Sequence, residues 1–396
     1  MLFILICSDV LNRQLKLNLP KEKSLFLWGA RKTGQSTYLK KCFPNSFYID
    51  LLHHSTFLRY SKSAGILKEE IEAHNDLSTP IIIDEVQKVP EILDEVHFLI
   101  ENNKNISFIL CGSSLRRLKH TGSNLLGGRA WRQLFLPLCY PELPKFDLLK
   151  IFNHGLLPEH YLFDSITVRN LEGYIVDYII PEVQWEGQIR NLGAFARFLE
   201  AIAFSNGEIL NYSNIARECH VNLKTVQGYI DLMCDMLLGY IIRPYTPKTS
   251  RQLITSSPKF YFFDTSIPLY LLQKEINILK GADAGHALER YIFLELKAYQ
   301  ELNKKRYDIS YWRTKSGMEV DFIIRKGDAA IEVKISSSVH KKELNSIIEF
   351  TKEYNPKHSI VVSLEENKRV IKFDDQKIII YPVEEFLSDL WNGLLF

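Results

Sequence analysis

One short stretch constrains this chain more than any other. The apolar run Leu25–Trp28 passes directly into Gly29-Ala30-Arg31-Lys32-Thr33-Gly34-Gln35-Ser36-Thr37, and a helical pattern opens at Tyr38-Leu39-Lys40. A glycine turn between strand and helix lets backbone N–H groups converge on an anion, and the helix N-terminus adds its positive dipole end. Such a unit reads as the first crossover of a parallel α/β sheet. The spacing is that of a phosphate-binding loop, Gly-x4-Gly-Lys-Ser/Thr, kept at every position but one. Gln35 stands where a lysine would reach the β- and γ-phosphates. A charge pair at 4 Å is worth roughly 4 kcal/mol at an effective dielectric of 20, so the loss is large. Gln35 still donates a neutral hydrogen bond, but it does not neutralise charge that develops in phosphoryl transfer. Lys32 and Arg31 are the candidate substitutes, against the plainer reading that both are solvated loop charges. Gly29, Gly34, Ser36 and Thr37 complete the candidate nucleotide-binding set, with Ser36 also a Mg2+ ligand.

The rest of the first third supports this. Short apolar runs at Phe47–Asp50, Ile81–Asp84, Ser107–Leu110 and Gln133–Leu138 alternate with helical patterns. A helix after Pro90 puts Ile92, Leu93, Val96, Leu99 and Ile100 on one stripe. Ile81-Ile-Ile-Asp84-Glu85 ends a strand in two acids: Asp84 to hold Mg2+ through water and Glu85 to polarise an attacking water. Phe108 to Ser114 ends the fourth strand in Cys-Gly-Ser-Ser. In this topology that strand lies between the other two motif strands, so Ser113 or Ser114 is placed to sense a γ-phosphate. From Asn103 to Tyr140 there is no acid, while Lys104, Arg116, Arg117, Lys119, Arg129 and Arg132 supply positive charge. A solvated basic face explains this plainly; the sharper reading is that Arg129 reaches a neighbouring subunit's nucleotide in a homo-oligomer.

Composition sets outer limits. With 49 Lys+Arg against 47 Asp+Glu in 396 residues, the net charge is +2, which excludes a uniformly basic nucleic-acid coat. Length and a polar, proline-containing stretch near Pro141–Asp164 suggest an α/β unit over residues 1–160, a helical one over 161–275 and a second α/β one over 276–396. No window approaches the roughly 18 apolar residues of a membrane span. Met1–Cys7 reads as a strand or helix start, not a signal peptide, and six scattered cysteines without a Cys-x-x-Cys pair point to the cytoplasm.

Two downstream patterns carry chemistry. Asn211 to Ile230 reads as helix, turn, helix, with Ile215, Ala216, Val221, Val226 and Ile230 as its core. Its second helix, Leu223–Met233, carries one lysine, Lys224, against Asp231. A phosphate-tracking face needs several cations, so a structural winged-helix module is preferred over a DNA reader. Glu319-Val-Asp321, a turn at Lys326-Gly327-Asp328, and Ile331-Glu332-Val333-Lys334 form a two-strand pattern in which Asp321 and Glu332 meet beside Lys334. Two carboxylates on a divalent metal plus a lysine is the minimum set for phosphodiester hydrolysis. The arrangement resembles the Asp-x(n)-Glu-x-Lys signature of restriction-endonuclease-like folds, with Glu289 on the preceding helix as a further acid. Exposed ion pairs on a hairpin are the plain alternative.

Taken in order, the glycine loop, Ile83-Asp84-Glu85-Val86-Gln87, Leu110 to Ser114 and Gly128-Arg129 resemble a group of prokaryotic AAA-type ATPases. The C-terminal half of that group is the domain of unknown function 4143, and the resemblance extends over nearly the whole chain. The family's usual loop reads Gly-Pro-Arg-Gln-x-Gly-Lys-Thr; this chain departs at Ala30, Lys32, Gln35 and Ser36, and Gln35 alone touches the chemistry. The resemblance implies metal and water-activating roles for Asp84 and Glu85, a sensor role for Ser113 or Ser114, and an arginine finger at Arg129. The expectation is an ATP- and Mg2+-binding protein with weak or absent hydrolysis, acting with nucleic acid. Two alternatives stay open: a metal-dependent nuclease regulated by a degenerate ATPase module, and a non-catalytic scaffold.

Overall fold

The computed structural model describes residues 11–17, 19, 23–74, 78–114, 116, 126–163, 167–246, 257–373 and 376–396. Met1–Cys7, Arg117 and Lys119 lie outside them. Among the described residues the strands form two sheets, one of five strands and one of eight.

The first sheet is built from β1 (Ser24–Trp28), β2 (Tyr48–Asp50), β3 (Ile81–Asp84), β4 (Phe108–Gly112) and β5 (Ala130–Leu134) in the order β2-β3-β4-β1-β5. All four pairings are parallel. β1, β3 and β4 are buried along their whole length, which is why they read as continuous apolar runs. β4 separates β1 from β3, so the ends of all three motif strands fall side by side on one edge of the sheet. The glycine loop leads from β1 into α1 (Gln35–Cys42), and α2 (Ile92–Asn102) covers the sheet with Ile92, Leu93, Val96 and Leu99. The fifth strand begins earlier than the expected Gln133–Leu138. As an edge strand it exposes Trp131 and Arg132, and such edges favour charge. The apolar residues after it leave the sheet: the N–H of Phe135 bonds Trp28 O at 2.6 Å and its ring packs behind the loop with Leu15 and Leu39.

A helical layer follows. A π-helical turn, Gly173–Ile179, runs straight into α3 (Ile180–Gly187). Pro181 has no N–H for the carbonyl four residues back, which leaves the turn before it wide. Helices α4 (Tyr212–Cys219) and α5 (Leu223–Asp235) form the expected helix-turn-helix, each capped by an asparagine: Asn211 accepts from Asn214 N at 3.0 Å and Asn222 from Thr225 N at 2.8 Å. Ile215, Ala216, Val226 and Ile230 are buried there, and Val221 is half-buried.

The second sheet has the order β12-β13-β11-β10-β9-β8-β6-β7, from β6 (Gly239–Pro244), β7 (Lys259–Phe262), β8 (Ile309–Arg313), β9 (Glu319–Ile324), β10 (Ala329–Lys334), β11 (His358–Ser363), β12 (Arg369–Phe373) and β13 (Gln376–Pro382). β6 and β7 precede residue 275 yet extend this C-terminal sheet, because Arg243 and Pro244 pair with Ser310 and Tyr311. Helices α6 (Ala282–Leu302), α7 (Asn345–Tyr354) and α8 (Val383–Trp391) pack on it. β12 and α8 were not expected: β12 is a largely exposed charged edge, and apolar spacing alone did not separate α8 from the strand before it.

Candidate functional site

Three strand ends and one helix build the site. The loop backbone depends on its glycines. A Cβ on Gly29 would lie 2.6 Å from the carbonyl oxygen of Phe135, and Gly34 caps α1 at φ 89°, a left-handed conformation. Lys32 also holds a positive φ of 62°. Arg13 ties the loop down from outside: its guanidinium donates to Thr33 O at 2.7 Å, lies 4.3 Å over the Phe135 ring and pairs with Glu142 at 3.0 Å.

Ser36, in the first turn of α1, donates to Asp84 Oδ2 at 2.7 Å. Tyr48 donates to the same oxygen at 2.5 Å. Ser36 and Asp84 are thus hard oxygen donors in mutual contact, and they fit a Mg2+ bound between loop and β3. Gln35 turns the other way. Its amide nitrogen donates to Leu27 O at 2.6 Å, so it fastens the helix start to β1. Lys32 does not replace it here either: its ammonium pairs with Glu159 at 3.3 Å. Thr37 sits half-buried in the first turn of α1.

Around the loop's mouth the polar side chains close on one another. Arg31 pairs with Glu85 at 3.2 Å and with Glu182, from α3, at 3.4 Å. Gln87 donates to Glu85 Oε2 at 2.7 Å and to Ser113 Oγ at 3.1 Å. Ser113 donates to Glu182 Oε1 at 3.0 Å, which completes a ring of five side chains. Ser114 donates to Glu186, one turn further along α3, at 3.2 Å. The π-helical turn frames this ring: Tyr174 OH donates to Arg31 O at 3.2 Å, and the Arg31 guanidinium lies 4.8 Å over Tyr178. Burial raises the Glu85 carboxyl above its ordinary range; Arg31 opposes the shift, while Asp84 and Glu182 add to it. Burial would lower Arg31, but Glu85, Tyr178 and Glu182 outweigh it.

Sequence reasoning therefore brought together Gly29, Gly34, Ser36, Asp84, Glu85 and Ser113. It missed Glu182, Glu186, Tyr48 and the linking role of Gln87. Glu182 and Glu186 are four residues apart on a helix, with Glu182 69 residues beyond its partner Ser113, a spacing without local meaning. Arg129 does not join the site within one chain. It precedes β5 beside Ser24, at the sheet edge opposite the loop, and its side chain pairs with Glu101 on α2.

The C-terminal carboxylates sit at a second place. β9 and β10 pair antiparallel with Ile331 opposite Phe322, which sets Asp321 beside Glu332. Glu332 pairs with Lys334 at 2.6 Å, and Asp321 accepts from Val333 N at 2.8 Å. Lys259, which the sequence reading did not single out, enters this cluster from β7. It is 2% exposed and pairs with Glu289 at 3.1 Å and Glu319 at 2.5 Å. Glu289 also accepts from Tyr261 OH at 2.6 Å. Burial and the Glu289 charge raise Asp321, against Lys259. The Lys259 ammonium supplies one positive charge to this buried carboxylate set and occupies Glu289 and Glu319. Among the described residues no three His, Cys, Asp or Glu side chains converge to hold a metal ion.

Residues 21–143 match the AAA domain family. The N-terminal part is AAA-like, with the layout of a P-loop ATPase. Residues 284–386 match the domain of unknown function DUF4143, and residues 145–276 match a domain of unknown function, DUF8612. An uncharacterized protein of Mycobacterium tuberculosis is 23% identical over 265 residues, 65% of this chain and 58% of that protein. The chain thus spans little more than half of that relative's length. An uncharacterized protein of Methanocaldococcus jannaschii is 22% identical over 349 residues, 80% of this chain and 75% of that protein. Among solved structures, a signal transduction ATPase with numerous domains and a tetratricopeptide repeat sensor, from Pyrococcus horikoshii, aligns at 13% identity and a TM-score of 0.22. That alignment covers 74% of this chain and 48% of that one. No described helix is long and apolar enough to cross a membrane.

Proposed function

We propose that this chain binds ATP with Mg2+ in the glycine loop, hydrolyses it weakly or not at all, and acts with nucleic acid in the cytoplasm. The observation that carries the reading is the contact of Ser36 with Asp84 beside Glu85, at the mouth of a loop whose glycines keep their required conformation. The N–H groups of Gly34 to Thr37 would cradle the phosphates, and Ser36 and Asp84 would hold Mg2+, which when bound neutralises phosphate charge. Glu85 would orient the attacking water, and Ser113 and Ser114 would read the γ-phosphate. Arg31 and Lys32 are the nearest cations, and both must leave their glutamates to reach a nucleotide. The missing lysine at position 35 sets the expected turnover low. The carboxylates of Glu182 and Glu186 sit on the serines that phosphate oxygens would meet, so the arrangement is a closed resting state in which protein anions stand in for a ligand anion. Arg129 would act only in trans, from a second copy, after leaving Glu101. The α4–α5 unit with β6 and β7 is read as a winged-helix-like structural module. For the restriction-endonuclease-like C-terminal part, Lys259 favours a scaffold over a nuclease.

The test is Mg-ATP binding and phosphate release measured on the wild type and Glu85→Gln. Both proteins should bind, with turnover well below roughly 1 s⁻¹ in the wild type and abolished in the variant. Absence of binding in both would refute the reading.

A further inference from the structure

One cleft takes none of its lining residues from the glycine loop. It has a volume of about 1220 Å³ and opens between the edge strand β5 and the last turn of α6. Its charge is one-sided. Arg132 from β5, Lys304, Lys305 and Arg306 from the end of α6, and Arg325 and Lys326 from the β9–β10 turn all line it. Lys16 and Lys297 add to them, against two acids, Glu301 and Asp308. Glu301 is already committed to Lys297 at 2.6 Å. The lining thus carries more excess positive charge than the +2 of the whole chain, so the cations are segregated rather than a sample of the surface.

Two plain explanations account for part of this. Lys304 and Lys305 complement the negative end of the α6 dipole, and Arg132 protects an edge strand. Neither explains Arg325 and Lys326. Both are non-glycine residues at positive φ, 53° and 61°, in a turn where Gly327 follows at 103°. The turn is pinned from behind, because Tyr245 OH donates to Lys326 O at 3.0 Å and a Cβ on Gly327 would lie 2.7 Å from that hydroxyl. Backbone strain held in place by a neighbour sets two cations side by side on the cleft wall. Aromatic faces lie between the cations. Trp131 is 41% exposed with the Lys304 ammonium 5.4 Å above its ring, and the Arg325 guanidinium lies 5.4 Å over Tyr307.

We infer that this cleft binds single-stranded nucleic acid, its backbone tracked by Arg325, Lys326, Lys304 and Lys305 and its bases stacked on Trp131. Positive charge alone would suit any polyanion, but the exposed Trp131 among the cations suits an unstacked base, which a duplex does not offer. The helix-turn-helix offers less, with Lys224 and Asp231 on its second helix. The inference gives a place to the nucleic-acid part of the proposed function and is independent of the glycine loop.

The test is fluorescence anisotropy of a labelled 20-nucleotide oligo-dT on the full chain across a salt series. The probes are the exposed pair Lys304→Glu/Lys326→Glu and, separately, Trp131→Ala, each checked for an unchanged melting temperature. Wild-type affinity should fall steeply with salt. The double variant should lose at least tenfold and flatten the slope by about 0.7 for each cation removed. Trp131→Ala should lose about fivefold or more with the slope unchanged. No binding at low salt, unchanged affinity in both variants, equal binding of a duplex, or full displacement by polyglutamate of matched charge would each overturn the inference. Mg-ATP titration of the same proteins separates the two sites. Oligo-dT binding without ATP binding sinks the loop reading alone, and ATP binding without oligo-dT binding sinks the cleft alone.

Discussion

If Glu182 holds the loop's mouth closed, Glu182→Gln should tighten nucleotide binding, although Glu182 belongs to none of the sequence motifs. The substitution keeps size and shape, and leaves Ser113 an oxygen acceptor. What it removes is the charge 3.4 Å from Arg31 and the anion facing Ser113. A charge pair at that separation is worth roughly 5 kcal/mol at an effective dielectric of 20, before desolvation. Arg31 keeps Glu85 as a partner at 3.2 Å, and its side chain is 29% exposed, so much of that energy is recovered elsewhere. A net loosening of about 1–2 kcal/mol is the reasonable scale. A site that must open before it binds has its affinity reduced by the fraction that is open. Loosening by that amount should therefore tighten the apparent Kd for Mg-ATP about five- to thirtyfold. Isothermal calorimetry at fixed Mg2+, with a melting curve to show the fold intact, reads this directly. Unchanged or weaker binding would refute competition between Glu182 and the ligand.

Two further outcomes concern the C-terminal part. Glu295 on α6 is buried, accepts from Trp391 Nε1 at 2.7 Å and from Tyr140 N at 2.8 Å, and burial pushes its carboxyl up to about 8 from 4.5. The folded state then holds the proton more tightly than the unfolded one, so stability is fullest below about pH 4.5 and falls as pH rises toward 8. Between pH 6 and 8 the wild type should lose about 2–3 kcal/mol that Glu295→Gln does not, read by denaturant melts; parallel pH profiles would contradict this. Lys259→Met should cost about 3–5 kcal/mol, since it leaves Glu289 without its cation and Glu319 with Arg313 alone, and a melting temperature equal to wild type would show that Lys259 is not the cluster's counter-ion.

The sheet around the glycine loop was legible because β1, β3 and β4 are buried on both faces and spell out apolar runs, each leading into its polar residues. Ser36, Asp84 and Ser113 were found for that reason. Glu182 and Glu186 were not, since they act through a helix that only the tertiary packing brings to the loop, and neither burial nor spacing marks them in one dimension. Lys259 did leave a trace: a lysine opening the apolar strand Lys-Phe-Tyr-Phe, which then turned out to be buried along its length. The fifth strand was misplaced because the strongest apolar signal, Phe135 to Leu138, belongs to packing beyond the strand, with Phe135 behind the loop and Leu136 and Leu138 in other clusters, and not to the exposed edge beside it.

Calorimetric titration of Mg-ATP into the wild type and Gln35→Lys, side by side, bears most directly on whether the glycine loop holds a triphosphate. In the wild type Gln35 is uncharged and its amide is held on Leu27 O, so the loop should bind through its backbone N–H groups, Ser36 and Asp84 without a lysine cation. Restoring the cation should then tighten binding at least tenfold, which corresponds to about 1.4 kcal/mol. Heat of binding in the wild type and a tighter Gln35→Lys is the predicted result; no heat from either protein would contradict a nucleotide site at this loop.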